Sequence, residues 1–194
     1  ITTVTQRDPT RILWDWSQAG DPTREENPYG YLRTRGEFIY TLDYVPTYAW
    51  YSGTAERYLL GDPIDPSIPT VLNQPIGSID DPNAVIFPFK IHYGVQPYDS
   101  EYNILLQPHT AGEEGFFTTF DWPSALEIGA AAAGIPYSGS YDFAETRMYW
   151  PLTHMVQPAA EALTCTDCHS DNGRMDWQAL GYYGDPMVWG GRGE

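Results

Sequence analysis

Several residue types are scarce in this chain, and each scarcity excludes a class of protein. The 194 residues contain two cysteines, Cys165 and Cys168, so a framework of several disulfides is excluded. Lys90 is the only lysine, and 10 basic residues face 26 acidic ones. Without a basic patch, a nucleic-acid partner is not expected. No apolar run approaches the roughly 20 residues of a membrane-spanning helix, so no membrane span is expected.

Proline, glycine and aromatic residues are abundant instead. The chain has 18 Gly, 17 Pro, 15 Tyr and 7 Trp, while charged residues make up 19% of it. This composition argues against a helical bundle, and it is too apolar for a disordered chain. We therefore predict a mostly irregular, loop-rich fold with a few helices and short strands.

Local patterns predict few strands. Residues 1–35 are polar and rich in turn signals, and they read as an extended arm with little regular structure. Residues 37–51 alternate apolar and β-forming residues, which predicts one or two short strands interrupted at Pro46. Residues 61–83 read as a proline-punctuated loop, and residues 84–99 as an extended segment that ends in a turn at Pro97.

The clearest helix signal covers residues 121–135. Asp121 or Ser124 can cap its start, and Gly134 is placed to end it. Its alanines and Gly129 leave one face small, against which a haem or another helix could pack. Shorter helices are predicted over residues 159–163 and 174–180.

Both cysteines lie in the motif Cys165-Thr166-Asp167-Cys168-His169, the C-x-x-C-H signature of c-type haem attachment. In such a motif the thiols form thioethers with the haem vinyl groups, and the histidine binds the iron. A disulfide between Cys165 and Cys168 is the alternative. The predicted fold is thus organised around haem, with an arm over residues 1–35 and a haem-binding unit over residues 36–194.

The sixth iron ligand is expected to be a histidine. Downstream of the motif only Met175 and Met187 are available, and both are too near to serve as the distal methionine of a small monohaem cytochrome. His92 and His154 lie among aromatic and apolar residues that suit a haem face, whereas His109 has no comparable setting and is expected to be exposed. One haem needs one distal histidine, so surplus histidines suggest contacts with haems attached elsewhere.

The net charge of −16 and the start at Ile1 lead to expectations about the cellular location of the protein and the ions it binds. Covalent haem attachment takes place outside the cytoplasm, so we expect a periplasmic or extracellular protein, processed by removal of an export signal or fragmented. The acidity serves solubility, steers basic partners or provides Ca²⁺ ligands, for which Asp80 and Asp81 are candidates.

Four blocks in order resemble the C-terminal region of the octahaem tetrathionate reductase family of multihaem c-type cytochromes. They are YSGTAERYLLGD, FPFKIHYGVQPYD, AAGIPYSGSYDFAETRMYWPLTHMV and CTDCHSDNGRMDWQALGYYGDPM. The resemblance runs from about residue 5 to residue 187. It implies that Cys165, Cys168 and His169 form the last haem-attachment motif, and that His92 and His154 are distal ligands. Seven of the family's eight attachment motifs have no counterpart here, nor has its active-site lysine.

The resemblance implies an electron-transfer subunit of an extracytoplasmic multihaem assembly. Its partners would be a haem-rich cytochrome chain or further copies of itself, together with redox partner proteins. The alternative is one subunit of a split octahaem reductase that acts on tetrathionate, nitrite or hydroxylamine. A third hypothesis is a monohaem protein whose haem only stabilises the fold.

Overall fold

The computed structural model describes residues 8–153 and 158–192, and within them the dominant feature is a nine-stranded mixed β-sheet. The prediction of a mostly irregular, loop-rich fold is therefore wrong. The strands are β1 (Thr10–Asp15), β2 (Tyr31–Leu32), β3 (Gly36–Thr41), β4 (Thr47–Tyr51), β5 (Ala55–Arg57), β6 (Thr70–Pro75), β7 (Val85–Asp99), β8 (Ile104–Leu105) and β9 (Tyr141–Pro151).

The 15-residue strand β7 is the centre of the sheet, whose main strand order is β2-β3-β1-β7-β9-β6-β5. Along one edge β7 pairs antiparallel with β9 over eleven positions, from Phe89 opposite Pro151 to Asp99 opposite Tyr141. Its other edge is shared in turn by β4, β1 and β8. The contacts of β1 with β7 and of β6 with β9 are parallel. Nearly every other element is therefore positioned relative to β7.

The sheet was missed because several of its strands lack a local signal. β1 lies inside the polar segment 1–35, yet it sits between β3 and β7. β6 lies inside the proline-punctuated segment predicted as a loop, and β7 continues through Pro97 to Asp99. At Pro97 the carbonyl accepts from the Leu106 N–H. Pairing with distant strands outweighed the turn-like composition. The predicted strands in residues 37–51 are confirmed as β3 and β4, and the division at residue 35 stays a prediction.

Helices are short except for one. They are α1 (Phe116–Thr119), α2 (Trp122–Ala133), α3 (Cys165–Cys168) and α4 (Pro186–Trp189), with 3₁₀ turns at Trp16–Gln18 and Ala159–Glu161. The predicted helix over residues 121–135 is confirmed as α2: the Asp121 carboxylate accepts from the Ser124 N–H, and Gly134 ends it at φ +70°. The helix predicted over residues 159–163 is only the 3₁₀ turn Ala159–Glu161, and the helix predicted over residues 174–180 is wrong, because residues 177–180 form turns.

The largest buried cluster joins α1 and α2, and it contains Phe116, Trp122, Leu126 and Ala130. Ala125 and Ala130 of α2 belong to this cluster together with Phe116 of α1, whereas Gly129 lies against backbone. Contact of this helix face with haem stays a prediction. A Cβ on Gly129 would lie 1.8 Å from the Gln107 carbonyl oxygen, so α2 rests directly on the backbone of residues 107–109. In the described residues, no helix is long and apolar enough to cross a membrane.

Candidate haem site

Both cysteines lie on the single turn of α3. The His169 N–H donates to the Cys165 carbonyl at 2.8 Å, which closes the turn. At its start, Thr164 and Asp167 form a capping box, with the Thr164 N–H 2.7 Å from the Asp167 carboxylate. These hydrogen bonds from Thr164 hold the pKa of Asp167 below its ordinary value. Both thiols are free, Cys165 exposed and Cys168 half-buried, so both are available for thioether bonds.

His169 is held on two sides by residues that follow it in the chain. Its Nδ1 lies 2.7 Å from Oδ1 of Asp185, and its ring stacks on Trp177 with centroids 4.9 Å apart and planes 20° apart. The Trp177 indole N–H in turn donates to the Cys168 carbonyl at 3.3 Å. With Nδ1 committed to Asp185, Nε2 is the nitrogen that could bind iron.

The segment after the motif folds back onto α3. A Cβ on Gly173 would lie 2.5 Å from the Cys168 carbonyl oxygen, which leaves no room for a side chain. The Arg174 N–H donates to the Asp167 carbonyl at 2.9 Å. This close return brings Trp177 to the His169 ring.

A row of aromatic rings packs the segment after the motif against the sheet. Tyr182 packs edge-on against Trp177 and stacks on Trp50 of β4. The Trp50 indole N–H donates to the carbonyl of buried Leu180 at 2.8 Å. The Arg192 guanidinium lies over the Trp50 ring and donates to backbone carbonyls of residues 78–84. The motif therefore has a fixed position relative to β4.

An exposed apolar patch adjoins the motif. It consists of Tyr183, Met187, Val188 and Trp189, which are 70–89% exposed. Three of these residues belong to α4, whose N-cap is Asp185, the partner of His169. The patch and the candidate iron ligand are thus on neighbouring parts of one segment.

His92 lies elsewhere, on β7 opposite Met148 of β9. Its Nε2 is buried and has no hydrogen-bond partner in the described structure. Burial, and then the nearby charges of Arg11 and Lys90, lower the pKa of His92 to about 4. The imidazole is therefore neutral near pH 7, which is the form that binds metal.

The remaining candidate residues have different outcomes. His154 lies outside the described residues, and His109 is half-buried, so its predicted exposure is wrong. Lys90 donates to the Thr10 hydroxyl and the Arg11 carbonyl. Over residues 8–153 and 158–192, no group of three or more His, Cys, Asp or Glu side chains could hold a metal ion. His92 is thus not in one metal-ligating cluster with the motif, and Ca²⁺ at Asp80 and Asp81 stays a prediction.

Sequence reasoning missed Asp185 and Trp177. Both are separated from His169 by turns, and no periodic pattern spans that distance. The only local sign was the Asp185-Pro186 pair, which is a helix-start signal and does not indicate a histidine partner.

Comparison with known proteins identifies the family. The model of the family described as bacterial cytochrome c matches residues 11–172, well over half of the sequence. The chain belongs to this family. Its members bind haem c covalently, and haem c is attached outside the cytoplasm, so the cytochrome is extracytoplasmic. Among the curated proteins nothing matches.

A solved structure defines the relationship further. The cytochrome is similar to an octahaem cytochrome c from Shewanella oneidensis, with 45% sequence identity and a TM-score of 0.87. The match covers 94% of this chain and 44% of that chain, so this chain spans less than half the length of its relative. The predicted resemblance to an octahaem family is confirmed.

Proposed function

We propose that this cytochrome carries one haem c, attached through Cys165 and Cys168 and bound at the iron by His169. The observation that supports this most directly is the His169 ring, whose Nδ1 bonds to Asp185 and whose stacking partner is Trp177. A haem there supplies a one-electron couple between ferric and ferrous iron. The chain's own residues hold the imidazole in one orientation and place two thiols on the same turn. In this proposal the chain transfers electrons and does not itself make or break bonds of a substrate.

We propose further that His92 and His154 are distal ligands of haems that other polypeptides attach. Unpartnered buried polar nitrogens are rare because each costs roughly 1–3 kcal/mol. The buried, neutral Nε2 of His92 is such a nitrogen, and an iron ion would satisfy it. Since Nε2 is buried in the described structure, ligation requires the atoms that cover it to move aside. His154 joins the proposal from its sequence context alone, between β9 and the motif.

The partner that we propose is a haem-rich polypeptide, equivalent to the part of the octahaem relative that this chain does not match. The match leaves more than half of that relative uncovered. The exposed patch of Tyr183, Met187, Val188 and Trp189 offers apolar surface beside the haem motif, where a second haem-bearing surface would bury it. The assembly would work in the periplasm or at the cell surface, exchanging electrons with redox partner proteins. Further copies of this chain are the other candidate partner.

Replacement of single histidines tests the ligand proposal. In the native assembly, His92→Ala and His154→Ala should each convert one low-spin ferric haem to high spin, because one imidazole ligand is lost. The measurement is electron paramagnetic resonance together with the visible absorption spectrum. His109→Ala is the matched control and should leave every haem low-spin. Unchanged spectra for both His92→Ala and His154→Ala would refute the donation of ligands.

A further inference from the structure

The contact between His169 and Asp185 is short, and the imidazole has little freedom around it. Nδ1 and Oδ1 are 2.7 Å apart, and the side chains are 26% and 18% exposed. Parallel stacking on Trp177 restricts rotation of the ring out of its plane. A carboxylate accepts hydrogen bonds only, so Nδ1 carries the proton of this hydrogen bond, and in the neutral imidazole Nε2 is then the nitrogen with the lone pair.

Asp185 is itself anchored. The same Oδ1 accepts from the Met187 N–H at 2.9 Å, which makes Asp185 the N-cap of α4, and Pro186 occupies the first position of that helix. The carboxylate therefore has a position set by α4 and does not simply follow the imidazole. A group fixed in this way can impose an orientation on its partner.

We propose that Asp185 is a positioning residue that fixes the Nδ1–H tautomer of His169, directs Nε2 towards the haem iron and lowers the reduction potential of that haem. This deepens the proposed function and rests on its assignment of His169 as an iron ligand.

The expected effect on the reduction potential follows from the negative charge of Asp185. The carboxylate polarises the Nδ1–H bond and makes the imidazole a stronger electron donor at Nε2. Ferric iron carries one more positive charge than ferrous iron, so the donation stabilises the ferric form more. Reduction adds one electron from a redox partner, and the proton stays on Nδ1 throughout. Asp185 would therefore make this haem harder to reduce than one whose histidine bonds to a neutral acceptor.

The decisive variant is Asp185→Asn in the native, haem-loaded protein. Asparagine caps a helix about as well as aspartate, so α4 should persist while the negative charge is removed. We expect the ferrous-to-ferric ratio at a fixed applied potential to rise, and for a one-electron couple each tenfold rise corresponds to a potential shift of about +59 mV. Asp176→Asn removes the same charge from an exposed carboxylate that caps the Ala179 N–H, and it is the matched control. Asp185→Glu keeps the negative charge, so its reduction potential should lie closer to that of the wild type than the potential of Asp185→Asn does.

Potentiometric titration, with electron paramagnetic resonance to follow the affected haem, separates the outcomes. A shift for Asp185→Asn that is absent for Asp176→Asn supports the proposal. Equal shifts for both variants would overturn it, because the effect would then come from general charge or helix capping. No shift for either variant would also overturn it, because Asp185 would then have no influence on the reduction potential. Such a failure leaves haem attachment intact and so differs from failure of the proposed function, in which the wild-type chain would carry no haem.

Discussion

Asp99 stands at the end of β7, where a fully buried carboxylate collects four donors. Oδ1 accepts from the N–H groups of Glu101 and Tyr102 at 2.9 and 2.8 Å and from the Ser138 hydroxyl at 3.0 Å. Oδ2 accepts from the Ser138 N–H at 2.6 Å. The carboxylate thus ties the end of β7 to the loop before β9, and it helps to hold the pairing of those two strands.

Asp99→Asn should destabilise the fold by about 3 kcal/mol. The side-chain NH₂ would face the Ser138 N–H, so a charge-assisted hydrogen bond is lost and a buried donor is left unpaired; such a change costs roughly 2–4 kcal/mol. Urea unfolding of the haem-loaded protein measures the difference. Asp142→Asn on β9 is the control, because its carboxylate is exposed and, among the residues that the structure describes, accepts only from the adjacent Phe143 N–H. The control should change stability by less than about 0.5 kcal/mol.

The difference in stability between wild type and Asp99→Asn should depend on pH. Burial alone would raise the pKa of Asp99, but the hydrogen bonds from Ser138, Tyr102 and Glu101 outweigh burial and hold the pKa below its ordinary value. A carboxyl with a lowered folded-state pKa stabilises fully above its unfolded pKa of about 3.9 and loses that contribution as pH falls through the folded pKa. The gap in the free energy of unfolding between wild type and Asp99→Asn should therefore be constant near neutral pH and shrink below about pH 4. A gap under 0.5 kcal/mol at pH 7, or one that widens in acid, would refute this reasoning.

Three further substitutions test the packing and the haem attachment. Leu126→Ala empties a fully buried site in the cluster of α1 and α2 and should cost about 3 kcal/mol in urea unfolding, whereas a cost below 1 kcal/mol would contradict that packing. Gly129→Ala places a Cβ 1.8 Å from the Gln107 carbonyl oxygen and should lower stability by about 1–3 kcal/mol, although alanine is the better helix former; a gain in stability would show that α2 does not rest on that backbone. Replacing Cys165 and Cys168 together by serine should remove the covalent haem from the denatured chain by mass spectrometry, and a retained haem mass would place attachment elsewhere.

The parts of this fold that could be predicted are those whose signals are adjacent in sequence. For α2, the cap Asp121 and the terminal Gly134 flank an alanine-rich run, and the structure uses both. The C-x-x-C-H motif is equally local. In contrast, β1 and β6 lie inside segments that are polar or rich in proline, and they form strands because distant strands, β7 and β9 among them, provide partners. Composition was misleading here because irregular-looking segments gain their regular structure from distant hydrogen bonds.

The site shows the same division. Cys165, Cys168 and His169 were found from spacing, since the chemistry requires them to be close in sequence. Asp185 was missed because it reaches His169 only after the chain has turned at Gly173 and packed Trp177 on the ring. The setting of His92, with an unpartnered Nε2 near Arg11, could not be read from the sequence, because Arg11 reaches it through the pairing of β1 with β7.

The most direct test of the account is the number of haems per copy of this chain in the purified native assembly. A haemochrome spectrum gives total haem, quantified chain gives the copies, and mass spectrometry of the isolated chain gives the covalent haem. We predict one haem on the chain itself and more than one per copy in the assembly, the excess belonging to a haem-rich partner. A single haem per copy in a monomeric particle would contradict the account, because no second haem would then be present for His92 and His154 to bind.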